Sequence, residues 1–155
     1  ISLPAFALTA FSQDKIVYSL YFPQRSLPLL GREPKELELG PPLSAGVRTL
    51  VSALEAGPKS GSKMTSALPK GVALRQVFLD QAGVVYLDFD LGKSKNLGVG
   101  VLEERLFIWS WVNTISLNIP EIKAVKLLVN GGEALTIGGH VDISLPLLPD
   151  RSLVE

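Results

Sequence analysis

The sequence predicts an α+β domain in which a small mixed β-sheet carries two helices packed on one face, with a hairpin between the helices. Three observations lead there. Runs rich in β-branched and aromatic residues occur at 15–23, 72–80, 84–90 and 122–130. Two other stretches, 44–56 and 106–119, place their apolar residues at helical spacing instead. The two kinds of run alternate along the chain, which favours helices layered on a sheet over an all-helical or all-strand architecture.

The first strand is "KIVYSLYFP" (15–23), stopped by a proline. Residues 24–43 hold prolines, glycines and a short alternation, "KELEL", and read as a long connection with one edge strand inside it. In "SAGVRTLVSALEAGP" the residues Val47, Leu50, Val51 and Leu54 form one helical stripe, with Ser44 available as N-cap and Gly57-Pro58 as the stop. A polar Ser, Lys and Gly loop comes next (58–71). "VALRQVFLD" and "VVYLDFD" form an antiparallel hairpin whose turn suits Asp80 and Gly83. The second helix runs from Leu106 to Ile119 and ends at Pro120. "IKAVKLLVN" is then a strand, and "EALTIGGHVDISLPL" reads as one or two strand pieces broken at Gly138-Gly139.

Both tryptophans lie in "FIWSWVNTI" (107–115). At 100° per residue, Ile108, Trp111, Val112, Ile115 and Ile119 share one stripe, the natural core face. Leu106, Trp109, Asn113 and Leu117 fall on a separate line on roughly the opposite side. A second apolar line needs a cover. It is either the chain itself, through the 44–56 helix, the 24–43 connection or the N-terminus, or a partner protein or second copy, for which tryptophan beside leucine is a fitting anchor. Mid-helix Asn113 and Thr114 read as structural, Thr114 by bonding back to a carbonyl one turn earlier.

Composition narrows the function. The 155 residues carry 15 Lys and Arg against 15 Asp and Glu, so no positive field marks a nucleic-acid partner. A hydrophobic fraction of 46% and a mean hydropathy of +0.30 leave apolar surface to be covered. There is no cysteine, which excludes disulfides, thiolate metal sites and cysteine nucleophiles. The opening "ISLPAFALTAF" reaches roughly half of the ~20 residues a bilayer span requires. It fits a juxtamembrane remnant of an anchor or signal segment, or a stretch that packs on the domain.

The ordered series "VYSLYFP", "LVSALEAGP", "ALPKGVALRQVFLDQAGVVYLDF", "LFIWSWVNTI" and "IPEIKAVKLLVNG" resembles the GerMN domain of bacterial sporulation and spore-germination proteins. The residues that carry the likeness are Tyr21, Phe22 and Pro23; Gly57 and Pro58; Pro69 and Gly71; Asp88; and Val112, Asn113, Thr114 and Ile115. Two positions depart from the pattern. Asp88-Phe89-Asp90 stands where the family often has Asp, an apolar residue and Ser, and Ile115 replaces a common leucine. The resemblance implies a GerMN-like domain over 15–148, with an N-terminal extension at 1–14 and a C-terminal tail at 149–155. It is similar in architecture to small α/β modules that build rings in envelope assemblies.

The resemblance further implies a non-enzymatic, extracytoplasmic interaction module, exported through a lipoprotein signal or a membrane anchor. Its partner would be an envelope protein or a second copy, with Leu106, Trp109, Asn113 and Leu117 as the partner-binding line. Membrane contact would come only through an N-terminal anchor, and neither cofactor nor metal is called for. The alternative is a glycan- or peptidoglycan-binding domain that stacks sugar rings on Tyr18, Tyr21 or Trp109. If their strands were neighbours, Asp88, Asp90, His140 and Asp142 could hold a divalent cation, but a lone histidine and turn-capping aspartates argue against it. Gly131-Gly132 and Gly138-Gly139 lack the Lys-Ser/Thr or helix start of a phosphate loop and read as turns. No Gly-x-Ser-x-Gly elbow is present. Glu103 and Glu104 complement the N-terminus of the second helix.

Overall fold

The computed structural model describes residues 15–155, so the extension expected at 1–14 lies outside the described residues. In chain order the elements are β1 (Ile16–Pro23), β2 (Leu30–Leu37), α1 (Leu43–Glu55), β3 (Ala73–Leu79), β4 (Val84–Asp90), α2 (Val101–Asn118), β5 (Ala124–Val129) and a 3-10 turn (Arg151–Leu153). The α+β class and the hairpin between the helices are as expected, and the strands divide into two small sheets. β1 and β2 form an antiparallel pair. β3, β4 and β5 form a mixed sheet in that order, with β3 antiparallel and β5 parallel to β4.

α2 is the hub. Phe107, Ile108, Trp111, Val112 and Ile115 bury into one core with Val85, Leu87 and Phe89 of β4, Val125 and Leu127 of β5, the α1 stripe, and Leu20 and Phe22 of β1. Trp111 is fully buried, meets Phe89 edge to face at 5.4 Å and donates its indole N–H to the Ala67 carbonyl at 2.9 Å. The other flank of α2 packs on a second cluster of Tyr21, Leu30 and Leu153 around Leu106. A helix covered on both flanks is apolar nearly all round.

Several local expectations change. α1 starts at Leu43 behind Pro42, whose carbonyl takes the first helical bonds from Ala45 and Gly46, so Ser44 sits inside the first turn and is not the N-cap. The Gly57 stop holds: its φ is +84°, and its N–H returns to Leu54. The edge strand β2 lies mostly ahead of "KELEL". α2 begins at Val101, five residues before the apolar periodicity, because Glu104 and the turns around it are held from elsewhere in the chain.

The strand pieces expected in 133–147 are irregular backbone. Only single bridges remain, Val125 with Leu147 and Val129 with Gly132. The reason is that side chains claim the backbone of this segment. The Glu104 carboxylate accepts from the N–H groups of Gly138 (2.7 Å) and His140 (2.8 Å). The buried Lys126 ammonium donates to the carbonyls of Ile143 (3.0 Å) and Ser144 (2.6 Å). Groups so committed cannot form a ladder. A Cβ at Gly138 would lie 2.9 Å from the Glu104 carboxyl carbon, so a side chain here would displace the clasping carboxylate.

Candidate functional site

The polar residues of α2 do most of the joining. The N–H groups of Ser19 and Tyr21 point away from β2 and would leave β1 with an open, buried edge. Thr114 Oγ1 accepts from Tyr21 at 3.0 Å, and Asn118 Oδ1 accepts from Ser19 at 3.0 Å. Asn118 Nδ2 donates back to the Ser19 carbonyl at 2.6 Å and to the Thr114 carbonyl at 2.7 Å. Helix side chains thus stand in for a neighbouring strand. Thr114 is spent on Tyr21, and it is Ser110 that bonds back one turn, to Leu106 at 2.8 Å.

Asn113 does the same for the C-terminus. Its Nδ2 donates to the Asp150 carbonyl at 2.9 Å while its Oδ1 accepts from the Asp150 N–H at 2.8 Å, a two-bond match to one residue's backbone. The segment expected as a tail at 149–155 is thereby docked along α2. Leu153 is buried, Val154 bridges Leu30, and Glu155 N–H bonds the Leu30 carbonyl. Asp150 is itself braced by Arg105 at 3.1 Å. Its carboxyl is held below the usual value, first by the Ser152 hydroxyl; burial opposes this, and the Ser152 N–H and Arg105 add to the lowering.

The expected partner line lies largely against the chain itself. Asn113 is fully buried, and Leu106, packed on the chain's own Tyr21, Leu30 and Leu153, shows only a 6% remainder at the wall of a groove. Leu117 and Trp109 are half-buried against the same cluster. Trp109 donates its indole N–H to the Leu148 carbonyl at 3.1 Å and lies 5.9 Å from the Arg105 guanidinium. The 24–43 connection does supply part of the cover, through Leu30. Sequence reasoning missed the C-terminal part, whose only signal is the apolar "SLVE" spacing of Leu153 and Val154. The three aromatic residues of the glycan reading are not one platform, since Tyr21 is 7% exposed and Trp109 is engaged.

The carboxylates and histidine that could have met are apart. Asp88 faces Arg75 (3.6 Å) and accepts from the Gly131 N–H at 2.9 Å. Asp90 caps Gly92, Asp142 caps Ser144, and the His140 ring meets the Val99 carbonyl. Among the described residues no three of His, Asp or Glu are grouped to hold a metal ion. Glu104 is more than a helix-end charge: it is buried and clasps Gly138 and His140.

Of the surface hollows among the described residues, two bear on binding. One is a groove of about 590 Å³ at the start of α2, lined by Pro23, Leu27, Ala67, Leu102, Leu106 and Phe107. Leu27 and Leu102 are each 41% exposed on its rim, beside the more exposed Val101. The other is a trough of about 490 Å³ between α1 and β3. Among the described residues no helix is long and apolar enough to cross a membrane.

Comparison with known proteins agrees with the motif order. The Germane family model, described as sporulation and spore germination, matches residues 19–135. No curated protein matches the chain. Among solved structures, a candidate lipoprotein from Clostridium perfringens is similar, with a TM-score of 0.58 at 21% identity over 86% of this chain and 87% of the other. The first GerMN domain of the sporulation protein GerM from Bacillus subtilis gives 0.59 at 20% identity, covering 88% of this chain and 98% of that domain. The tandem GerMN domains of the same protein give 0.59 at 18%, over 86% of this chain and 46% of the tandem.

Proposed function

Because this chain belongs to the Germane family of sporulation and spore germination domains, we propose that it works as a non-enzymatic interaction module at the bacterial cell envelope, outside the cytoplasm. The observation that carries the reading is the groove at the head of α2, whose surface is largely apolar and whose rim carries the exposed Leu27 and Leu102. An apolar concavity of this size fits an anchoring side chain of another protein. The buried polar groups of α2 are meanwhile occupied in closing the chain's own strand edge and holding its C-terminus. The likeness to a candidate lipoprotein and to a sporulation protein supports an envelope location with a tether preceding the domain.

The test has two arms. Fractionation of cells expressing the full-length gene should recover the protein with the envelope, and recovery in the cytosol would overturn the location. A photo-crosslinking residue placed at Leu102 should yield a discrete adduct in those cells, whereas the same residue at exposed Lys123 should not. Equal, diffuse labelling at both positions would remove the groove as an interaction surface.

A further inference from the structure

Among the described residues, much of the sheet edge is closed by other parts of the chain. β1 is closed by Thr114 and Asn118. β5 is closed by the Leu147 bridge and the Gly132 turn. β2 is met by Glu155 at Leu30 and carries Pro34, which has no N–H to offer. β3 has no backbone partner along its outer edge among the described residues, and it lacks the proline that interrupts β2 beyond Leu30. The register shows which groups are free. Asp80 N–H bonds the Val84 carbonyl and Phe78 pairs with Tyr86, so the N–H and C=O groups of Val77 and Leu79, one residue out of phase, point away from β4.

This open ladder runs beside the α1–β3 trough. Its walls are Arg48, Ser52 and Glu55 from α1, and its floor is Val51 with Leu74 and Val77; Phe78, 43% exposed, borders it, with its ring stacked on Tyr86 at 4.6 Å. Arg75 also borders the trough, but its guanidinium is held by Asp88 at 3.6 Å, so Arg48 is the guanidinium on the α1 wall, beside Glu55. Arg48 has no ion-pair partner among the described residues.

We propose that β3 takes an added strand: an extended segment of a partner protein, pairing its backbone with Val77 and Leu79 and setting an acidic side chain against Arg48. The unpaired ladder selects an extended backbone, the alternating floor and wall select apolar and polar side chains by turns, and the Arg48 guanidinium, without an ion-pair partner among the described residues, selects the acidic one. The inference rests on the interaction-module reading and names a second surface, distinct from the α2 groove.

A phage-displayed library of short peptides, about nine residues long to match the reach of a strand, selected on the purified domain, tests it. Enriched peptides should alternate apolar and polar residues and carry Asp or Glu. Arg48→Glu, an exposed change on α1, should weaken a synthetic copy of the best peptide by about tenfold, the scale of one lost charge-assisted contact. Val77→Pro removes an outward N–H without touching the ladder to β4 and should weaken it similarly; its melting curve verifies folding. Hydrogen exchange at Val77 and Leu79 should slow when peptide is bound. Failure to enrich any peptide overturns the proposal. So does binding that ignores Arg48→Glu and is lost with Leu102→Asp, an outcome that keeps the general interaction reading and moves it to the α2 groove.

Discussion

Removing the Asn113 side chain should detach the C-terminal segment before it harms the rest of the domain. Asn113 is fully buried, and its amide makes two bonds, at 2.8 and 2.9 Å, to the Asp150 backbone. In Asn113→Ala both Asp150 groups lose their partner. If the segment stayed docked, two backbone groups would be desolvated without compensation, at about 1–3 kcal/mol each. If it lifted off, water would satisfy them, but Leu153, now 6% exposed, would return to solvent at about 1.5–3 kcal/mol. The molecule takes the cheaper course, and the two are close. The expected loss is therefore about 1.5–3 kcal/mol.

Urea unfolding measures the total, and hydrogen exchange identifies the route. The Glu155 amide, bonded to the Leu30 carbonyl, and the Val154 amide should exchange faster in the variant, while amides of β4 and β5 keep their wild-type order of protection. A loss under about 0.5 kcal/mol with unchanged exchange at Val154 and Glu155 would refute the clasp, since it would mean that the two bonds hold nothing that water does not hold as well.

The same geometry dictates three further outcomes. Trp111→Ala should cost about 3–5 kcal/mol, the usual cost of emptying a large aromatic core site, whereas Trp109→Ser should cost less and loosen the C-terminal segment first; equal losses in thermal unfolding would contradict the separation of the two faces. Glu104→Gln keeps one acceptor for Gly138 and His140 but turns an amide donor toward the other N–H, so its melting curve should show a loss of about 1.5–3 kcal/mol, and a neutral result would mean the clasp is dispensable. Asp150 has its carboxyl held below the ordinary 3.8, so its contribution to stability is present above that pH and is lost as pH falls through the lower folded value. The urea-midpoint gap between wild type and Asp150→Asn should accordingly shrink on acidification below 3.8, and a gap independent of pH would remove the Ser152 and Arg105 bracing.

The sequence makes the apolar framework legible because periodicity reports which face is dry. The α1 stripe of Val47, Leu50, Val51 and Leu54 and the placement of Trp111 come directly from 3.6-residue spacing. The Asp80–Gly83 turn is legible because its φ of +85° asks for glycine, and Asp80 caps Ala82 and Val84 as its side chain allows. The illegible parts depend on bonds between distant residues. "ALTIGGHVDISL" has the composition of strands, but Glu104 and Lys126 capture its backbone groups from other elements. The start of α2 is signalled only by the charge of Glu103 and Glu104, since Gly100 caps it without a side chain.

The α2 line escapes periodicity for a related reason. A polar residue in mid-helix shows that something polar faces it, and spacing alone does not distinguish water, a partner or the chain's own strand edge. Here Asn113 and Thr114 face the Asp150 and Tyr21 backbones. That result bears on where a partner can act. Within the family motif of this helix, Val112 and Ile115 fill the core while Asn113 and Thr114 close the fold, so this run accounts for the architecture and leaves little of itself exposed to be recognised. Selection of a partner has to use residues that the fold does not consume. The outer edge of β3, with Arg48, Glu55 and Phe78 around it, meets that condition: no backbone partner occupies it among the described residues, and Arg48, Glu55 and Phe78 can change without emptying the core.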